Sequence, residues 1–152
     1  MGALRQFSTF LLDGLLFGVD VNAVQEILRY QEMAPVPLAP SVVAGLINLR
    51  GQVITALDLR RRLDLTARPP DERPMNVIIR SGDEIVSFLV DEICDVLEVD
   101  EACFEPLPDM VQGVTRDLIC GEYKLEDRLL LVLNTKQILT FNANNASLGS
   151  PS

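Results

Sequence analysis

Catalysis needs side chains that carry a proton, hold a metal or attack as nucleophiles, and this chain of 152 residues supplies them unevenly. It contains no histidine, which excludes Ser-His-Asp and Cys-His catalysis and removes the commonest zinc ligand. Its three cysteines, Cys94, Cys103 and Cys120, are an odd number, lack CxxC spacing and sit among apolar neighbours. They read as reduced core thiols, with no disulfide framework and no metal site. Three acidic pairs, Asp91-Glu92, Asp100-Glu101 and Glu126-Asp127, supply the residue types of a carboxylate-dependent enzyme on a β-barrel. Their placement argues against it, because adjacent residues of a strand point to opposite faces and acidic pairs at turns are ordinarily solvated. The stretch Gly14 to Gly18 lacks the GK[ST] ending of a phosphate loop. No catalytic residue, metal or cofactor is expected.

The charge balance narrows the partners. With 22 acidic and 13 basic residues the net charge is −9, which opposes binding to phosphate backbones and anionic lipid. The basic run Arg60-Arg61-Arg62 directly follows Asp58 and reads as a solvated helix face. Aromatic residues make up only 5%, too few for a base-stacking surface. The apolar stretch Phe7 to Leu12 is broken by Asp13 and then Asp20, so neither a signal segment nor a spanning helix is expected. The expectation is a standalone cytoplasmic protein.

Any contact chemistry must then be positioned by strands. Short apolar blocks at Phe7 to Leu12, Leu15 to Val19, Gln52 to Leu57, Met75 to Arg80, Ile85 to Val90 and Leu129 to Leu133 have strand length. Asp13-Gly14, Ser81-Gly82-Asp83 and Glu126-Asp127 lie between blocks and suit tight turns, giving three hairpins. Asp58 and Asn134 are good N-caps for short helices at 59–63 and 135–139. Pro40 to Ala44 suggests one more helical turn, and the polar, Pro-rich run Ala67 to Pro74 an exposed link.

The chain also repeats itself. Val24-Gln25-Glu26-Ile27-Leu28, Pro35-Val36-Pro37, Gly45 and the block ending at Asp58 recur as Ile93-Cys94-Asp95-Val96-Leu97, Pro106-Leu107-Pro108, Gly121 and the block ending at Asn134. The offsets are 93 − 24 = 69, 106 − 35 = 71 and 121 − 45 = 76, and after Gly45 the register holds without a gap. Two copies of one strand pattern point to two small β-barrels, since closure removes exposed edges. The expected domain spans 7–140, divided into barrels at about 7–66 and 75–140, with a frayed tail at 142–152.

The run Gly45-Leu46-Ile47-Asn48-Leu49-Arg50-Gly51-Gln52-Val53-Ile54, followed by Leu57-Asp58-Leu59-Arg60, closely resembles the signature of the CheW family. Supporting matches are Val24 to Ile27, Val90-Asp91-Glu92-Ile93 with Asp95-Val96-Leu97, and Asp127 to Leu131. The resemblance implies a mainly β fold of two five-stranded SH3-like barrels. It also implies a non-catalytic adaptor that couples the cytoplasmic tip of a chemoreceptor to the regulatory domain of the histidine kinase CheA, in chemotaxis or in a related pathway such as twitching motility.

By the same resemblance, Arg50 matches an arginine that contributes to receptor binding, and Gly45 and Gly51 flank it. Val24 and Glu26 match positions of a receptor groove between the barrels, and Val90 and Val96 are expected on its opposite wall. The kinase contact is expected around Glu105 to Met110, where Glu105 departs from the basic residue that relatives can carry. A receptor tip is a helical hairpin, so recognition would be helix-in-groove, with affinity from apolar contact and register from charge.

Overall fold

The structure is a computed structural model that describes residues 3–108 and 114–140. Its strands are β1 (Leu4–Leu12), β2 (Leu15–Asp20), β3 (Val24–Leu28), β4 (Val43–Leu49), β5 (Gln52–Asp58), β6 (Met75–Ser81), β7 (Glu84–Val90), β8 (Glu92–Asp100), β9 (Ile119–Lys124) and β10 (Leu129–Leu133). Helix α1 (Leu59–Arg62) follows β5, α2 (Val114–Leu118) precedes β9, and α3 (Thr135–Leu139) follows β10. All six expected strands and both capped helices are present. The Asp58 carboxylate accepts from the Arg60 and Arg61 amides, and the Asn134 side chain accepts from the Gln137 amide, filling donors that a helix start leaves open.

The turns follow from backbone sterics. Asp13-Gly14 and Arg50-Gly51 are two-residue loops with positive φ at both positions, 52° and 80° in the first and 52° and 87° in the second. That geometry matches the right-handed twist of the strands it joins. Arg50-Gly51 closes a fourth hairpin, β4–β5, beyond the three expected. Pro40 to Ala44 is not helical: Val43 N–H donates to the Pro40 carbonyl at 2.9 Å and β4 begins at once. The corresponding stretch of the second repeat does form a helix, α2.

The duplication is visible in the strand pairing. Leu12 pairs with Leu15 and Ser81 with Glu84; Val24 pairs with Ile79 and Ile93 with Phe10. At the larger offset, Asn48↔Val53 and Val43↔Leu57 recur as Lys124↔Leu129 and Ile119↔Leu133. Both ladders have a bulge at the matching place, leaving Ala44 and Cys120 out of register.

The strands do not sort into sheets by repeat, and this corrects the expected division at 7–66 and 75–140. Sheet I runs β8-β1-β2-β10-β9 and sheet II runs β3-β6-β7-β5-β4. Each takes its central hairpin from one repeat and its other three strands from the other repeat. β3 lies antiparallel to β6, and β8 antiparallel to β1, so beside its own repeat's hairpin β3 would run parallel to β2, and β8 parallel to β7. Parallel strands need a long connection, whereas these links are Val21–Ala23 and Asp91 alone, too short to return along the sheet.

Three apolar clusters hold the arrangement. Phe7, Leu16, Tyr123, Leu130 and Val132 fill sheet I, and Ile47, Ile54, Ala56, Ile78 and Leu89 fill sheet II. The largest lies between the sheets, where Phe10, Phe17 and Val19 of one hairpin meet Val77, Ile79 and Phe88 of the other beneath Leu59, Ile138 and Leu139 of the helices and Leu63 just after α1. Each sheet is drawn toward closure by the segment after its edge strand. Ala34 and Leu46 exchange two backbone hydrogen bonds at 2.8 Å, and Glu105 and Glu122 do the same at 2.9 and 2.8 Å.

Candidate functional site

Arg50 stands at the tip of the β4–β5 hairpin with two-thirds of its side chain exposed. Its guanidinium donates to both carboxylate oxygens of Glu26 on β3, at 2.6 and 3.0 Å. β3 and β4 are opposite edges of sheet II, so this ion pair spans the seam between them. The turn is supported from below by the Asn48 side chain, which accepts from Gly51 N–H at 2.9 Å. An exposed pair of this kind contributes at most about 1 kcal/mol to folding, so its value lies in fixing where two charges stand.

Gly51 has positive φ and open space around its Cα, whereas Gly45 has a different constraint. A Cβ at Gly45 would lie 2.8 Å from the Ala34 carbonyl oxygen and 2.9 Å from Met33 Cβ, so the crossing strand requires glycine there. Gly121 repeats this under Phe104 and the Glu105 carbonyl. Gly45 therefore serves the fold and presents no surface of its own.

The other expected residues separate. Glu26 lies with Arg50, while Val24 is half-buried against the core between the sheets. Val96 is 53% exposed on β8. Val90 is fully buried in the same core, which corrects its expected place on a groove wall: β7 is flanked by β6 and β5 and faces the opposing hairpin. Glu105 is exposed, and its carboxylate lies 3.6 Å from Lys124 Nζ. Met110 and the tail 142–152 lie outside the described residues.

Four exposed apolar residues form two matched pairs under the repeat: Ile27 with Val96, and Val53 with Leu129. The charges beside them do not match. Where sheet II has Glu26 and Arg50, sheet I has Asp95 and Glu126. The segments that form sheet I, 3–20 and 92–140, carry 5 − 13 = −8, against 8 − 9 = −1 for residues 21–91. The two halves thus share an apolar pattern and differ in field, and complementary fields decide orientation and encounter more than affinity.

Two readings of residue type are corrected here. Cys103 and Cys120 are exposed and Cys94 is half-buried, so none is a core thiol; all three are free. Partial burial pushes the Cys94 thiol up, and the protein packed around Cys120 desolvates that thiol in the same direction although part of it reaches the surface, keeping both protonated. Arg60 is buried, not solvated. It donates to Asp91 from Nε at 3.0 Å and from Nη2 at 2.5 Å, and Arg68 joins the same carboxylate at 2.8 Å. Burial alone would raise the Asp91 pKa, but hydrogen bonds from Arg60, the Asp13 amide and Arg68 outweigh it and hold the carboxyl below its ordinary value. The only signal in the sequence was the helical spacing that turns Arg60 inward beside Leu59 and Leu63.

Asp100-Glu101 and Glu126-Asp127 contain no buried residue, and in the pair Asp91-Glu92 the half-buried Asp91 is spent on two arginines. What remains is a surface of apolar side chains and oriented charges, the Arg50–Glu26 pair among them, on two like sheets, the arrangement of a scaffold that works by contact. Comparison with known proteins agrees with that class. The CheW-like domain model matches residues 6–142, and the chain belongs to this family. The CheW chemotaxis protein of Bacillus subtilis is 32% identical over 139 residues, covering 91% of this chain and 89% of the relative. That of Rhizobium meliloti is 29% identical over 143 residues, covering 94% and 92%. The solved structure of the scaffolding protein TtCheW from Thermoanaerobacter tengcongensis superposes with a TM-score of 0.78 at 25% identity, over 87% of this chain and 90% of that one. The chain is accordingly a non-catalytic coupling adaptor of chemotaxis signalling.

Proposed function

We propose that the two partners this chain couples are the cytoplasmic tip of a chemoreceptor and the regulatory domain of the histidine kinase CheA, and that it does so in the cytoplasm, recruited to membrane receptor arrays through them. The observation that carries the receptor half is the Arg50–Glu26 pair. It holds a guanidinium two-thirds exposed at a rigid turn, in the half of the chain that is nearly neutral. A helical hairpin offers carboxylates and helix-end carbonyls to such a donor. Exposed Ile27 and Val96 supply apolar contact on the two halves, Gly51 completes the turn that carries Arg50, and Val24 adds its accessible edge at the start of β3. None of the described helices is long and apolar enough to cross a membrane, so contact with an array would be through proteins.

Glu105 and the segment that runs from it through the second Pro-x-Pro to Met110 are proposed for the kinase contact. The Glu105 backbone is tied to β9, so its side chain projects from a fixed place. The deciding experiment is a pull-down of purified chain against receptor tips and kinase regulatory domains. Arg50→Asp is expected to lose the tip and keep the kinase domain, and Glu105→Ala the reverse. Retention of the tip by Arg50→Asp would refute the receptor half.

A further inference from the structure

Only two chain crossings connect the strands of sheet I with those of sheet II, and they differ. From β2 to β3 the chain passes through a 3-10 turn, Val21–Ala23. From β7 to β8 it passes through one residue, Asp91. The repeat places Asn22 at the position of Asp91, and Lys136 at that of Arg60. Lys136 is exposed, and Asn22 bonds through its backbone to Asp20. The charged cluster therefore exists at one crossing and not at its counterpart.

Asp91 joins parts that belong to different sheets. Its N–H donates to the Leu11 carbonyl of β1 at 3.0 Å, and its Oδ2 accepts from Asp13 N–H in the β1–β2 turn at 2.8 Å. The same carboxylate holds Arg60 of α1 and Arg68 of the 67–74 segment, both belonging to the sheet II side. Arg60 is further anchored by the Thr66 carbonyl at 3.0 Å. The three side chains are 15%, 8% and 8% exposed. Apolar packing between two hairpins is non-directional and tolerates small rotations, whereas a planar guanidinium on a carboxylate fixes angle as well as distance.

We infer that Arg60, Arg68 and Asp91 are positioning residues: they set the angle between the sheets, and with it the spacing of the Glu26–Arg50 face from the Val96 face. The second part rests on the receptor contact proposed above; the first stands without it. Removing Arg60 or Asp91 alone would strand a charge in the cluster, so the primary variant is Arg60→Met combined with Asp91→Asn, in which Arg68 keeps Asp58 at 4.0 Å. Residual dipolar couplings are measured on the full chain. Wild type is expected to fit one alignment tensor across both sheets. The double variant is expected to fit each sheet separately and no longer both together, and to lose at least tenfold in receptor-tip affinity. A single tensor that still fits both sheets overturns the inference. If the double variant does not fold, Arg68→Met, which keeps the Arg60 contacts, is read the same way. A changed angle with unchanged tip affinity overturns the second part when Arg50→Asp does lose the tip. If Arg50→Asp also binds normally, the receptor contact fails while the tensor result still decides the positioning role.

Discussion

Arg50 and Glu26 are 24 residues apart in the chain, yet their side chains share two hydrogen bonds, at 2.6 and 3.0 Å, across the seam between the edge strands of sheet II. The pair links a turn that sets its own backbone to a strand that cannot pair with it. Because the contact is solvated, its loss separates binding from stability. Arg50→Ala is expected to shift unfolding free energy by no more than about 1 kcal/mol in urea titration. Capture of a receptor tip should fall in the same preparation, and a large stability loss would assign Arg50 to the fold.

Gly45 predicts the opposite division. A methyl group there meets the Ala34 carbonyl and Met33 Cβ, and both belong to the segment that bridges to β4. Gly45→Ala should cost about 1–3 kcal/mol, the range of overpacking, read as a lower urea midpoint with an unchanged slope. Receptor capture by the remaining folded protein should be normal.

Val90 and Val96 look alike in sequence and should behave differently. Val90→Ala opens a cavity in the core between the sheets and should destabilise by about 2 kcal/mol. Val96→Ala removes atoms already half in water and should stay within about 0.5 kcal/mol. Thermal melts of the two variants side by side test this, and equal losses would contradict the burial assigned to Val90.

Asp91 sets an acid limit. Its pKa is lowered on folding, so the folded state binds its proton less readily than the unfolded state. The stability this contributes is present above the unfolded value, about 4, and is lost as pH falls through the lower folded value. Asp91→Asn should therefore be less stable than wild type at pH 7, and the difference should narrow below about pH 4. Urea midpoints between pH 7 and pH 2 give the comparison; a gap that widens toward low pH would reverse the assignment.

Much of this protein was determined by its sequence alone. Alternating apolar blocks marked the strands, Asp13-Gly14 the first turn and Asp58 and Asn134 the helix starts, because these depend on neighbours within a few residues. The repeat was legible for the same reason, down to the gapless register after Gly45. Which sheet each hairpin joins was decided only by tertiary structure. The apolar pattern of β1–β2 does not distinguish the two sets of three strands, and it is the pairing of β1 with β8 and of β2 with β10 that sends the hairpin to the other repeat. Burial of Val90 and Arg60 follows from that exchange, since both sit where the two hairpins meet. Local pattern specifies a strand and its turn; the partner across a long stretch of chain is chosen by packing and charge that no short window contains.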